Sequence, residues 1–177
     1  MKTILVAATM ALLLVSCKKN DALIPGNPVA DNTATKVTDW LELQVNRTSS
    51  ADSKERMKNL KQHLVLSELY YESLENGTTD KLIIVPIANT FVSENNKGAN
   101  PLNCLLLVET PEGTIRKGNI VQYLPVNRTG ENKIPVNAFH EYYNDNKLAD
   151  ATFTFLTLTD KFLYESKFSD NKLTSFK

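Results

Sequence analysis

The chain has 177 residues, 20 basic and 20 acidic side chains, a formal net charge of zero and a 42% hydrophobic content. That balance lacks the basic excess that binding to nucleic acid requires, and the apolar fraction over this length suffices for one domain with its own core. With only two cysteines, a fold built on several disulfides is excluded as well.

An apolar run from Ile4 to Val15 follows Lys2 and is closed by Cys17, Lys18 and Lys19. A membrane-spanning helix needs about 20 apolar residues, so the run is too short to span and fits the apolar core of a secretory signal. The tetrad Leu14-Val15-Ser16-Cys17 resembles the lipobox of bacterial lipoproteins. That resemblance implies cleavage before Cys17, a diacylglyceryl group on its thiol and acylation of the new amino group. It also implies a protein held on the cell envelope, at the outer membrane and facing either the periplasm or the surface. Each buried CH₂ contributes about 0.8 kcal/mol, so two or more chains anchor stably without a spanning helix. Lys18 and Lys19 then sit at the headgroups, where each is favoured by about 1 kcal/mol over anionic lipid. The expected divisions are a signal peptide over 1–16, a flexible tether with lipidated Cys17 over 17–36, and one domain over 37–177. Loss of 16 residues leaves 161, with 19 basic against 20 acidic groups, and Cys104 as the remaining thiol. No internal disulfide can then form, and Cys104 in "NCLLLVE" reads as a small buried hydrophobe.

The tether "KKNDALIPGNPVADNTAT" has two prolines, a glycine and no apolar period. The first predicted helix has Thr38 as cap and Val37, Trp40, Leu41 and Val45 on one face. A second, capped by Asp52 or Ser53, carries Met57, Leu60 and Leu64, with Lys54, Glu55, Lys58 and Lys61 on its solvated side. The period then changes to that of strands. "ELYYESL" and "KLIIVPI" flank an Asn76-Gly77 turn; Leu82 to Val85 is apolar on both faces, and Pro86 marks a strand end, bulge or edge. "CLLLVET" and "TIRKGNIVQYLP" flank a turn with Pro111 second and Gly113 fourth. After Pro135 the spacing of Val136, Phe139, Tyr142 and Tyr143 predicts one or two helical turns. The tail alternates again and predicts two strands and a short third, broken at Thr159-Asp160-Lys161 and Asp170-Asn171. Phe153 and Phe155 share one strand face, the core face, and Thr152 and Thr154 the other.

Helices first and an antiparallel meander afterwards define an α+β class, with the Trp40 helix packed on the sheet. The order of a tryptophan-bearing helix, an apolar strand ending in proline, a hairpin, a Tyr-Leu-Pro strand and a final hairpin resembles that of small lipoproteins of Bacteroidota. That resemblance implies no activity and no functional residues.

Motifs for chemistry are sparse. "HEYYN" begins like the zinc helix H-E-x-x-H, but Asn144 stands where the second histidine belongs, so His140 is not expected to ligate metal; His63 is read as a surface or capped residue. No G-x-S-x-G elbow occurs, and Ser166 lies mid-strand. Glu68, Glu72, Glu109 and Asp160 could supply paired carboxylates, but acids on alternating strands ordinarily face solvent. The six glycines form no phosphate-binding loop, and "IRKGN" reads as a solvated hairpin rim. No cofactor and no metal are therefore expected. Aromatics remain: Tyr70 and Tyr71 face opposite sides of a strand and Tyr142 and Tyr143 share a turn, so these four are the candidate partner surface, although buried packing is the commoner role of tyrosine. The expected function is a non-catalytic binding or structural module for a protein or glycan, anchored through Cys17. The alternative is a small envelope hydrolase whose acid/base pair is not recognisable in sequence; an inhibitor-like or immunity-like protein would share the first profile.

Overall fold

The computed structural model describes residues 31–74, 79–95, 100–126, 133–145, 150–170 and 172–177. Two helices, α1 (Asp31–Arg47) and α2 (Ala51–Gln62), precede a single 3-10 turn at Leu66–Glu68. The strands follow as β1 (Tyr70–Ser73), β2 (Lys81–Pro86), β3 (Leu102–Glu109), β4 (Ile115–Pro125), β5 (Ala151–Leu156), β6 (Phe162–Ser169) and β7 (Lys172–Phe176). Between β4 and β5 lies a short helix, α3 (Ala138–His140), that runs into a π-turn over Glu141–Asp145. The strands form one sheet in the order β1-β2-β3-β4-β5-β6-β7, each antiparallel to its neighbours, so the expected α+β meander is the observed fold.

The meander is local in origin. Between β3 and β4 the Gly113 N–H donates to the Thr110 carbonyl over 2.9 Å, and Gly113 sits at φ +81°, which costs a residue without Cβ nothing. Asp160 and Asp170 take positive φ at the next two turns, as short polar residues do more readily than most. The Asn76-Gly77 turn and Asn171 lie outside the described residues.

Both sheet faces are covered, which explains why Leu82, Ile83, Ile84 and Val85 are all fully buried. On one face Val37, Leu41 and Leu60 of the two helices pack on Ile83, Val85, Leu105, Leu107, Ile120 and Leu156. On the other, Ala138 and Phe139 of α3 pack on Leu106, Val121, Tyr123, Phe153 and Phe155. Phe153 and Phe155 are buried as alternation predicts, with Thr152 and Thr154 half-buried opposite. Pro86 is the last residue of β2, where its missing N–H breaks no ladder.

The helix ends differ from the sequence expectation. The first helix starts at Asp31, so residues 31–36, expected in the tether, form its first turns. Those turns show no apolar period because their contacts are polar: the buried Thr33 hydroxyl meets the Tyr71 hydroxyl at 3.2 Å, and Lys36 pairs with Glu109 of β3. Thr38 is consequently interior to the helix, and its hydroxyl donates back to the Thr35 carbonyl at 2.8 Å instead of capping. The second helix is capped by Ser50, whose Oγ accepts from the Ser53 N–H, and not by Asp52 or Ser53. Leu64 lies beyond that helix and bridges to Ile87.

Trp40 docks the first helix onto the sheet at a glycine. A Cβ on Gly118 of β4 would stand 2.5 Å from Trp40 Cη2 and 2.6 Å from Leu107 Cδ2, so only the absence of a side chain lets the indole lie there.

Candidate functional site

Where β2 ends at Pro86, the chain stays bonded to its neighbours on both sides. The Val65 N–H donates to the Pro86 carbonyl (2.8 Å), and the Ile87 N–H to the Asn103 carbonyl (2.9 Å). These contacts hold the 63–69 segment across the sheet end and leave a cavity of about 390 Å³ between it, the starts of β1 and β3, and residues 133–136. That size lies at the lower end of the range of small-molecule sites, about 300 to 1,000 Å³. Its walls are mostly apolar, with Ile84, Ile87, Leu102 and Ile134 prominent. Glu68 and Lys133 also line it and form an ion pair of 2.9 Å, both side chains well exposed, so the charges of the lining neutralise each other toward solvent.

Two polar residues in the lining are more than nine-tenths buried: Tyr70, the first residue of β1, is 9% exposed and Asn103 of β3 is 7% exposed. Among the described residues, the Tyr70 hydroxyl and Asn103 Oδ1 are buried side-chain atoms without a hydrogen-bond partner. Asn103 spends its amide N–H on the Pro101 carbonyl at 3.5 Å, which leaves the oxygen unused. A buried polar atom left unpaired costs about 1 to 3 kcal/mol, and the two do not share a sheet face: Tyr70 stands with Ile84 and Cys104, whereas Asn103 alternates with Cys104 and lies on the side of Ile87 and Leu105. Burial, with Cys104 and Glu72 nearby, pushes the Tyr70 phenol far up, so it stays protonated. Burial likewise pushes up the Cys104 thiol in the same wall, which removes its nucleophilic form.

Behind the cavity, Glu72 of β1 is buried against α3. The backbone N–H groups of Asn137 and His140 donate to its two carboxylate oxygens at 3.1 and 2.6 Å. Burial pushes this carboxyl up to about 7, and the two backbone donors hold it from going further. The group fastens the α3 turn to β1, with Asn137 in the left-handed region at φ 73° and the His140 ring nitrogen Nδ1 at 3.1 Å from the Ser73 carbonyl.

Three acids expected on the solvent face are in fact buried: Glu72, Glu109 and Asp160. Each has its own partners on a different element. Glu109 pairs with Lys36, and Asp160 accepts from the Ser93 hydroxyl and the Glu94 N–H, both at 2.6 Å. They are structural anchors for α1, for the 93–95 segment and for α3. Among the described residues no group of three or more His, Cys, Asp or Glu is placed to hold a metal ion.

The four tyrosines do not form one surface. Tyr70 is in the cavity wall, whereas Tyr71 belongs to the opposite, helix-covered face, with its hydroxyl on Thr33. Tyr142 packs on Phe153, Phe155 and Phe168 at centroid distances of 4.9, 5.5 and 5.6 Å, and its hydroxyl meets the buried Ser166 hydroxyl at 2.9 Å. Tyr143 stands edge-on to Tyr142 at 4.9 Å and packs against the same core cluster. At the far end of the sheet Phe162, Leu163, Leu173 and Phe176 are exposed, and β7 is the outermost strand. Cys17 lies outside the described residues. Asn103 and Lys133 are residues that the sequence reading missed. The signal for Asn103 is a lone amide inside the run "PLNCLLLV"; Lys133 has none.

Comparison with protein-family models, with curated proteins and with solved structures finds no match to this chain. Among the described residues no helix is long and apolar enough to cross a membrane.

Proposed function

We propose that the chain is a non-catalytic binding module, tethered to the cell envelope by lipid on Cys17, whose exposed domain meets a protein or glycan partner. The observation that carries the binding reading is the cavity below Pro86, with a mostly apolar wall and an exposed Glu68–Lys133 ion pair in its lining. Hydrolysis needs convergent groups of suitable protonation state, and this lining offers a protonated thiol, a protonated phenol and a carboxylate already paired with Lys133. The exposed apolar side chains of β6 and β7 support a partner surface at the other end of the sheet. The anchor rests on the tetrad Leu14-Val15-Ser16-Cys17.

Metabolic labelling with a clickable fatty acid tests the anchor. The wild-type chain should be labelled and the Cys17→Ala chain should not; equal labelling overturns the anchor. Turnover of generic ester or glycoside substrates by the full chain, lost in Glu68→Gln, would replace the binding reading with the hydrolase alternative.

A further inference from the structure

We propose that the cavity binds a free α-amino acid with an apolar side chain, the side chain against the apolar wall and the ammonium and carboxylate against the exposed Glu68–Lys133 ion pair. This names the ligand class of the binding reading above and rests on it. The head group follows from the ion pair. Glu68 and Lys133 both line the cavity, stand 2.9 Å apart and are exposed, so a solute can reach each of them. In an α-amino acid the ammonium nitrogen and the nearer carboxylate oxygen are about 3 Å apart, as covalent geometry requires. Laid antiparallel to the ion pair, the zwitterion puts its carboxylate on Lys133 Nζ and its ammonium on the Glu68 carboxylate without parting the two side chains. Four charges then alternate in one network, in which exposed charges contribute more than an isolated pair does. A singly charged ligand gains less, because an anion on Lys133 is repelled by Glu68 and a cation on Glu68 is repelled by Lys133. The body follows from the wall. Ile84, Ile87, Leu102 and Ile134 offer hydrocarbon to an apolar side chain, and about 390 Å³ suits a molecule of amino-acid size. The Tyr70 hydroxyl and Asn103 Oδ1 take no part, since both are closed off from solvent.

Isothermal titration into the full chain in phosphatidylcholine nanodiscs, with empty nanodiscs as the blank, compares L-leucine with three relatives. Glycine lacks the side chain, 4-methylpentanoate lacks the ammonium and 3-methylbutylamine lacks the carboxylate. Leucine should bind saturably beyond the blank, glycine at least about tenfold more weakly, and each singly charged relative about 3- to 10-fold more weakly. Glu68→Gln removes the anion that repels 4-methylpentanoate, so it should weaken leucine about 3- to 10-fold and leave 4-methylpentanoate no weaker. Lys133→Gln should weaken leucine to the same extent and leave 3-methylbutylamine no weaker. Both side chains are exposed, so both variants should fold. Leucine binding that is unchanged in either variant, or no tighter than that of any one relative, would overturn the amino-acid class while leaving a cavity that binds small molecules. Absence of binding by all four probes would overturn the class and the cavity's part in the binding reading together. Fatty-acid labelling at Cys17 is independent of each of these outcomes.

Discussion

Gly118→Ala is the smallest change that probes how the first helix is seated. Counted by strand propensity and unfolded-chain entropy alone, replacing a strand glycine with alanine should stabilise by about 0.4 to 1 kcal/mol. The packing predicts the opposite sign. The added methyl would stand 2.5 and 2.9 Å from two carbons of the Trp40 ring and 2.6 Å from Leu107 Cδ2, so the neighbours have to retreat by most of an ångström. Leu107 is fully buried and cannot move outward, and Trp40 is half-buried at the helix–sheet contact, so the strain goes into lifting α1. Overpacking of this kind costs about 1 to 3 kcal/mol, and after the entropic gain a net loss of about 1 to 2 kcal/mol remains. For a domain of this size that lowers the melting temperature by about 3 to 6 °C. Urea unfolding followed by circular dichroism is the assay, because Trp40 itself is mutated in the second arm. In a double-mutant cycle with Trp40→Ala, the alanine at 118 should cost little or become favourable, giving a coupling of at least about 1 kcal/mol. A Gly118→Ala chain as stable as wild type, or strictly additive effects, would refute the close contact.

Phe155→Ala should cost about 3 to 5 kcal/mol, since the ring is buried, stacks on Tyr164 at a centroid distance of 4.4 Å and touches Tyr142; an unchanged thermal melt would place it outside the core. Glu72 predicts a pH dependence whose sign is fixed by linkage. Its folded-state pKa of about 7 exceeds the ordinary 4.5, so the folded chain binds the extra proton between those values. The stabilisation is therefore fully present below about pH 4.5 and is lost as pH rises through 7, by about 3 kcal/mol. Glu72→Gln keeps a neutral acceptor for α3 and should flatten this slope in urea midpoints measured between pH 5 and 7.5. Equal slopes in the two chains would show that the carboxyl is not the titrating group.

Sequence by itself determined what depends on near neighbours along the chain. The strands of the meander are legible because alternation, Pro111, Gly113 and the polar turn at Asp160 act within a few residues. The burial of Phe153 and Phe155 follows from the same alternation, and the double-sided cover of Leu82 to Val85 from its unbroken apolar run. Tertiary structure alone decided which polar groups are consumed. Thr33 and Lys36 look like tether residues until Tyr71 and Glu109, 38 and 73 positions away, give them partners. Glu72 and Asp160 read as surface acids because their donors, at Asn137, His140, Ser93 and Glu94, lie more than 60 residues distant. The cavity is of the same kind. Tyr70, Asn103 and Lys133 belong to three separate segments, and only the sheet register and the crossing of the 63–69 segment bring them to the lining of one cavity at the sheet end. Periodicity records which side a residue faces, but a hydrogen-bond partner or a void is a property of what else arrives on that side, and no local pattern encodes it.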